Sequence, residues 1–153
     1  MELSNAYVAG LFDGEGCFYI AKTKRAARTK GYFYQPQAII AIREKYILEE
    51  LQKKFGGSLV WHKLKNPNAA QSFKWTLNAG NLEKFLDAVQ PYLILKKRQA
   101  ELLREYFKFK STKEKKYAAL SDSEWNTLDD IRNRMCALNK KGVVRLTPDW
   151  EAK

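Results

Sequence analysis

The feature that most constrains this chain is a run near its start, Tyr-Val-Ala-Gly-Leu-Phe-Asp-Gly-Glu-Gly at residues 7–16. Ala6, Gly10 and Gly14 recur every four residues, so they share one face of a predicted helix and give it almost no side-chain bulk. Such a face lets a second helix approach closely. If that helix belongs to another copy of the chain, two copies of Glu15 meet where the helices end, and paired carboxylates favour a divalent cation.

The same run resembles the signature of the LAGLIDADG homing endonucleases, with Ala-Gly-Leu-Phe-Asp-Gly-Glu-Gly at residues 9–16. The resemblance continues from residue 5 to about residue 103 and includes Pro-Tyr-Leu-Ile-Leu-Lys at residues 91–96. A plain amphipathic helix that ends at a glycine is the alternative interpretation, and it leaves the acids and the later glycines unexplained. The resemblance implies an α+β fold of αββαββα order with an antiparallel, DNA-binding sheet and extra C-terminal helices.

The charge of the chain favours a polyanionic partner. Lysine and arginine number 28 against 17 acids, for a net charge of +11 and a pI near 9.6. No acid lies between Glu15 and Glu44 or over residues 51–82, whereas the acids gather in predicted helices. A charge run is often only a solvated face, but acid-free strands beside acid-bearing helices indicate one basic surface. We therefore expect a nucleic acid as the partner, and the resemblance implies that it is double-stranded DNA.

The size of the chain predicts one domain. With 153 residues and 45% hydrophobic content, it can bury one core, and we expect a single endonuclease domain over residues 1–153 with its core at about 4–110 and a helical extension at about 111–153. Cys17 and Cys136 give no disulfide framework and indicate a reducing compartment. No apolar run is long enough to span a bilayer. We expect an intracellular protein, located in a chloroplast or mitochondrion if the host is eukaryotic and otherwise in the cytoplasm.

Hydrophobic periodicity predicts the elements independently of the resemblance. Ser4 is placed to cap the first helix, Asn81 to cap a later one, and Ser121 with Glu124 to form a capping box. The predicted strands cover residues 17–24, 32–42, 58–65 and 71–77, and the helices after the first cover 44–55, 81–89, 96–109 and 121–138. Residues 4–90 therefore spell helix, two strands, helix, two strands, helix, which is the order that the resemblance implies.

The available side chains restrict the chemistry. His62 is the single histidine, and with two cysteines it cannot form a zinc cluster. A phosphodiesterase built from this chain must use carboxylates with hard cations such as Mg²⁺, and Mn²⁺ or Ca²⁺ can take the same site. Nothing after residue 16 repeats the motif. Cleavage of both DNA strands then requires two chains, and the resemblance likewise implies that single-motif members are homodimers.

Residue roles follow from the resemblance. Glu15 matches the metal-binding acid, Gly14 lends its carbonyl to the metal, and Asp13 matches the helix-ending acid, with purely structural capping as its alternative. Lys96 matches a lysine that stabilises charge or organises solvent near the phosphate; a lysine that only touches phosphate is the alternative. Arg43 is the first polar residue after the second strand and replaces a water-ordering polar residue, often glutamine, of the family.

Recognition would come from the strands, which can lie in a major groove and present alternate side chains to base edges. Alternation predicts a core-facing set and a DNA-facing set on each hairpin. The core-facing set is Phe18, Ile20, Ala38, Ile40 and Ile42, then Leu59, Trp61, Phe73, Trp75 and Leu77. The DNA-facing set is Tyr19, Ala21, Thr23, Gln35, Gln37, Ile39 and Ala41, then His62, Ser72, Lys74 and Thr76, with Arg25, Arg28 and Lys30 at the loop between the first two strands.

The resemblance implies a homing endonuclease that cuts both strands of a long, pseudo-palindromic DNA site with divalent metal ions and leaves short 3′ overhangs, and this is the functional hypothesis. Two alternatives stay open. A non-catalytic nucleic-acid binder, such as an intron-splicing maturase of the same fold, would bind folded intron RNA without metal-dependent cutting. A basic ribosome-associated domain would match the charge of the chain but leave the motif unexplained.

Overall fold

The computed structural model describes residues 1–24, 32–63, 65, 66, 68, 70–112 and 120–140. Within those residues the predicted αββαββα order is confirmed, and two helices follow it. The elements are α1 (Asn5–Glu15), β1 (Gly16–Lys24), β2 (Tyr32–Ile42), α2 (Lys45–Phe55), β3 (Ser58–His62), β4 (Ser72–Asn78), α3 (Ala79–Val89), a single 3₁₀ turn (Gln90–Tyr92), α4 (Lys97–Ser111) and α5 (Asp122–Leu138). None of the helices in these ranges is long and apolar enough to cross a membrane.

The first helix begins and ends where its sequence dictates. The Ser4 hydroxyl accepts a hydrogen bond from the Tyr7 main-chain N–H at 3.2 Å, which satisfies one of the free donors of the first turn. The helix ends at Gly16, where a β-carbon would lie 2.5 Å from the Phe12 ring. Gly16 is therefore required by the packing of the chain itself, because any larger residue would displace a fully buried aromatic side chain.

The four described strands form one antiparallel sheet in the order β1-β2-β4-β3. The first three helices pack on one face of it. The core lies between the sheet and these helices, and Phe85 of α3 stands at its centre. The Phe85 ring lies 5.3 Å from Phe12, 5.0 Å from Phe55 and 5.6 Å from Trp75, measured between ring centroids. The opposite face of the sheet carries no helix among the described elements.

The prediction that Trp61 is buried is wrong. The side chain points to the core side of the sheet as alternation requires, but it is 55% exposed. The Trp61 ring packs beside Phe73, with centroids 5.6 Å apart, but Phe73 is itself only half-buried, so this contact does not cover the tryptophan. Three further residues of the predicted core, Ile42, Leu59 and Phe73, are half-buried.

Several element boundaries also differ from the prediction by one to three residues, among them the end of the third strand and the start of α3. The third strand ends at His62 instead of residue 65. Helix α3 begins at Ala79, directly after β4, and its N-cap residue is Asn78, not Asn81. Asn78 has the extended backbone expected of an N-cap, with φ −97° and ψ 172°. Asparagine is a favourable cap at either position, so its presence alone did not fix the first residue of the helix.

Helix α5 contacts β1 on the same face of the sheet as the first three helices. The predicted capping box of α5 is confirmed, because the Ser121 hydroxyl accepts from the Glu124 N–H at 3.2 Å and the Glu124 carboxylate accepts from the Ser121 N–H at 2.9 Å. After the last turn of α5, the Asn139 side-chain amide donates to the Phe18 carbonyl at 2.7 Å. This bond satisfies an acceptor on the open edge of the sheet, since β1 pairs with β2 alone.

The turn between α2 and β3 requires a glycine at position 57, and a substitution can test this. The φ of Gly57 is +90°, and a β-carbon there would lie 2.6 Å from the Thr76 carbonyl oxygen. Gly57→Ala should therefore lower the free energy of unfolding by about 1–3 kcal/mol in urea denaturation. Gly80→Ala is the matched control, because a β-carbon at this glycine of α3 meets nothing within 4 Å. Equal stabilities of the two variants would contradict this account of the turn.

Candidate active site and nucleic-acid interface

A buried carboxylate fixes the end of α1. Asp13 is only 9% exposed, and its two oxygens accept main-chain hydrogen bonds from Ile94 at 2.7 Å and Lys96 at 3.0 Å. These are the contacts of a capping residue, and they support the structural interpretation of this acid. Asp13 points into its own chain, away from the exposed face of α1 that carries Ala6 and Gly10. We call this arrangement the Asp13 clamp.

Lys96 lies at the same helix end. Its ammonium group donates to the Asp13 main-chain carbonyl, which has no acceptor role inside the helix because it belongs to the last turn. A cation here also opposes the negative end of the α1 dipole. Lys96 is half-buried and stands at the N-cap of α4. The clamp therefore holds the main chain of Lys96, and the Lys96 side chain holds the end of the helix that carries Glu15.

The pKa of the Cys17 thiol depends on its burial and on the nearby Lys96 ammonium group. Burial raises the pKa of Cys17 above its ordinary value, and the nearby Lys96 ammonium opposes part of that rise. The net direction is upward, so the thiol stays protonated near neutral pH. Its Sγ lies 3.5 Å from the Phe18 carbonyl oxygen. Cys17 is thus an inert, half-buried neighbour of the lysine.

Glu15 and Arg43 line one open cleft of about 680 Å³. Glu15 is the exposed last residue of α1, while Arg43 follows β2 and is exposed as well. The structure therefore brings these two predicted residues to a common space. Glu44 lines the same cleft and was missed by sequence reasoning, although its position as the first acid after a long acid-free stretch could have signalled it. Lys96 is outside the cleft lining, at the other side of the helix end.

The predicted DNA-facing residues of the described strands share one face of the sheet. In the register of the first hairpin, Tyr19 is opposite Gln37, and Thr23 is opposite Phe33. The remaining register positions on this face pair Ala21 with Gln35, Cys17 with Ile39, Ile39 with Thr76, Ala41 with Lys74 and His62 with Ser72. Arg25, Arg28 and Lys30 lie outside the described residues.

Polar contacts already link side chains on this face. The Gln37 amide donates to the Asn78 side-chain oxygen at 2.8 Å, and the Ser72 hydroxyl lies 3.3 Å from His62 Nδ1. Asn78 was missed because the predicted strand stopped at residue 77, although alternation from Thr76 would have found it. Ser58 and Val60, which are opposite Thr76 and Lys74, were missed as well. The face therefore mixes polar side chains with apolar ones such as Ile39 and Val60, and the Gln37 amide is held in place on it.

The small-residue face of α1 is exposed. A β-carbon on Gly10 or Gly14 would meet nothing within 4 Å, so contacts among the described residues do not require glycine at either position. Two large apolar side chains of the segment that Asp13 holds at the end of α1 are exposed as well, Ile94 at 54% and Leu95 at 59%. Tyr7 on the helix is also exposed. A small-residue stripe beside exposed apolar groups is a surface suited to a second helix.

Comparison with known proteins identifies relatives at the level of family and fold. The sequence profile described as LAGLIDADG endonuclease matches residues 8–113. No curated protein matches the chain by sequence. The homing endonuclease I-CvuI, solved in complex with its target in the presence of calcium, is 22% identical with a TM-score of 0.71, over 94% of this chain and 85% of that one.

Two further solved structures share the fold. The archaeal intron-encoded homing endonuclease I-Vdi141I, complexed with DNA, is 20% identical with a TM-score of 0.72, over 94% of this chain and 88% of that one. The homing endonuclease I-TnaI is 22% identical with a TM-score of 0.69, over 91% of this chain and 97% of that one.

The Asp13 clamp can be tested by removing one of its acceptors. Asp13→Asn keeps the shape but loses the charge and turns a donor toward one of the two main-chain N–H groups. We expect the free energy of unfolding in urea to fall by about 1.5–3 kcal/mol, the range for hydrogen bonds to charged groups. Asp87→Asn is the control, since its exposed pair with Arg104 should contribute at most about 1 kcal/mol. Equal losses would mean that the clamp does not hold this corner.

Proposed function

Because the chain belongs to the LAGLIDADG endonuclease family, we propose that it is a site-specific endonuclease that cuts both strands of double-stranded DNA as a homodimer. The observation that carries the proposal is the meeting of Glu15 and Arg43 in one cleft, at the edge of a polar strand face. The target would be long and nearly palindromic, and the products would have short 3′ overhangs. The whole chain, residues 1–153, would act as one endonuclease domain.

The exposed face of α1 supports the homodimer. A two-fold axis beside Gly10 and Gly14 would pack this face against its own copy, as closed dimer symmetry requires. The same contact would cover Ile94 and Leu95 and bring two Glu15 side chains together. One cleft per chain then gives one site for each DNA strand. The two strand faces would continue one another along the groove, which fits a nearly palindromic target.

The donors at the helix end fit a hard divalent cation. The Glu15 carboxylate and the Gly14 main-chain carbonyl offer oxygen ligands of the kind that Mg²⁺ prefers, and Mn²⁺ or Ca²⁺ accept the same donors. Within the described ranges, no three acid, histidine or cysteine side chains gather at one point. The remaining ligands would come from the second chain and from phosphate oxygens. When bound, the ion supplies Lewis-acid stabilisation of charge on the phosphate.

The chain supplies the other parts of the reaction. Glu15 would bind the divalent cation. Arg43, which lines the same cleft, would donate hydrogen bonds to the phosphate or to the attacking water. Lys96 would place a fixed positive charge at the end of α1, where negative charge develops on the phosphate. Its own position depends on the Asp13 clamp, so the charge would be preorganised before DNA binds.

The strand face would read the DNA. Gln35 and Gln37 can each pair with an adenine edge, and the hydrogen bond from Gln37 to Asn78 would hold one amide ready for that contact. Lys74, on the same face, would lie in the major groove of the DNA. The net charge of +11 would attract the phosphates. The remaining proposed contacts are Tyr19, Thr23, His62, Ser72 and Thr76, with Arg25, Arg28 and Lys30 at the loop.

The catalytic role of Glu15 can be separated from binding. Glu15→Gln removes the anionic ligand while keeping the shape, so we expect cutting of a cognate plasmid with Mg²⁺ to be lost while DNA binding survives. Glu83→Gln, on the exposed side of α3, is the control and should cut normally. A Glu15→Gln enzyme that cuts at the wild-type rate would remove this acid from the mechanism. Binding of folded intron RNA without any metal-dependent DNA cutting by the wild type would favour the maturase alternative.

The dimer can be tested on the glycines that the chain itself does not need. Gly10→Leu or Gly14→Leu has room within one chain, but it would separate two close helices at a cost of about 1–3 kcal/mol or more. We expect sedimentation to show monomers and plasmid cutting to fail, with the fold kept by circular dichroism. Gly80→Leu is the matched control, because it is equally open and lies on α3. A wild-type chain that cuts as a monomer would end the proposal.

A further inference from the structure

The outer half of the first hairpin is a two-stranded ribbon. β2 pairs with β4 only over residues 37–42, so residues 33–36 have β1 as their one partner in the described sheet. Isolated two-stranded ribbons are marginally stable and twist readily. This ribbon nevertheless carries Thr23 and Gln35, which belong to the face proposed to read DNA. Its direction must therefore be fixed from elsewhere in the molecule.

Helix α5 holds the back of this ribbon through one carboxylate. Lys22 and Tyr34 are directly opposite each other in register, on the face away from the reading side chains. A single oxygen of Asp129, Oδ1, accepts a hydrogen bond from Lys22 Nζ at 2.9 Å and another from the Tyr34 hydroxyl. Asp129 thus joins both strands of the ribbon to one helix. We call this contact the α5 clamp.

Packing supports the same contact. Tyr34 is only 2% exposed, its ring centroid lies 6.0 Å from that of Trp125 on α5, and its main-chain carbonyl accepts from the Tyr106 hydroxyl at 3.4 Å. Partial burial by itself raises the pKa of Asp129, but the hydrogen bonds from Tyr34 and Lys22 outweigh it and hold that pKa below its usual value. The carboxylate is therefore charged at neutral pH and can accept both hydrogen bonds of the α5 clamp.

We propose that Asp129 is a positioning residue for base recognition, which sets the direction of the outer ribbon and so the selectivity at the outer base pairs of each half-site. Side chains alternate along a strand, so Lys22 lies between Ala21 and Thr23, and Tyr34 lies between Phe33 and Gln35. Movement of the back-face pair therefore moves the front-face residues with it. Asp129 itself stays on the side away from DNA. The inference rests on the proposed function, since it assumes that the front face reads bases.

The variant that tests the α5 clamp is Asp129→Leu, which removes both hydrogen bonds and keeps an apolar side chain over the ribbon. Cleavage is profiled on a library of randomised sites at fixed salt. Discrimination at the outer positions of both half-sites should fall about tenfold, the size of one good base contact, while discrimination at the inner positions near Tyr19 stays unchanged. Asp130→Leu is the matched control, because the neighbouring Asp130 is 65% exposed and pairs with Arg134 on the same helix. Its profile should equal that of the wild type.

A second measurement separates the clamp from the proposed function. Hydrogen exchange of the free protein should show faster exchange in Asp129→Leu at residues 21–24 and 33–35, with no change at residues 16–18. Unchanged exchange in the ribbon, or a loss of selectivity that is uniform over all positions, would overturn the α5 clamp. Wild-type protein that shows no sequence preference at all would overturn the proposed function, and the role in base recognition with it, even if the exchange result holds. Tyr34→Phe, which removes one of the two bonds, should give a smaller effect in both assays.

Discussion

The hydrogen bonds that the buried Asp13 carboxylate accepts from the main chain of Ile94 and Lys96 are the contact on which the site depends. A buried carboxylate is costly unless it is fully hydrogen-bonded, and here each oxygen has a main-chain donor. The bonds join two parts of the chain that are 81 and 83 residues apart. One part is α1, which ends in Glu15. The other contains Lys96, the N-cap residue of α4. The relative position of the acid and the lysine therefore follows from one clamp.

The glycines of the motif serve two different needs. Gly16 is required inside the chain, because the Phe12 ring occupies the place of its β-carbon. At Gly10 and Gly14 a β-carbon would meet nothing within 4 Å among the described residues, and the proposed partner helix gives a reason for both. The same short run thus specifies both a core contact and a surface. This dual use is the physical reason why a single stretch of sequence can position an active site and, in the proposed dimer, join two of them.

Much of the fold could be predicted from the sequence because its signals are local and periodic. Alternation placed Tyr19, Gln35 and Gln37 on one face correctly, and the capping box of α5 was visible in four residues. Trp61 shows where alternation stops being sufficient: it gives the side of the sheet but not the point at which the covering helices end. The first residue of α3 was missed for a related reason, since two asparagines could each have capped it.

The tertiary contacts of the site were beyond sequence reasoning. The capping role of Asp13 was one of two open interpretations, and only the fold brought its main-chain partners into reach. The contact of Asp129 with Lys22 spans 107 residues and has no periodic signal. Glu44 was visible as an acid but not as a neighbour of Glu15, because the cleft forms between α1 and the turn after β2. The sequence predicted the chemistry of individual residues, but it did not predict which distant elements come into contact.

In the proposed homodimer, each of the two chains contributes one Glu15 and cuts one DNA strand. The most direct measurement uses mixed dimers of wild-type and Glu15→Gln chains, purified through two different tags and incubated with a supercoiled plasmid that carries the target. Wild-type dimers should give linear plasmid, whereas mixed dimers should stop at the nicked circle, because one strand meets a defective site. Linear product from mixed dimers at the wild-type rate would contradict the claim.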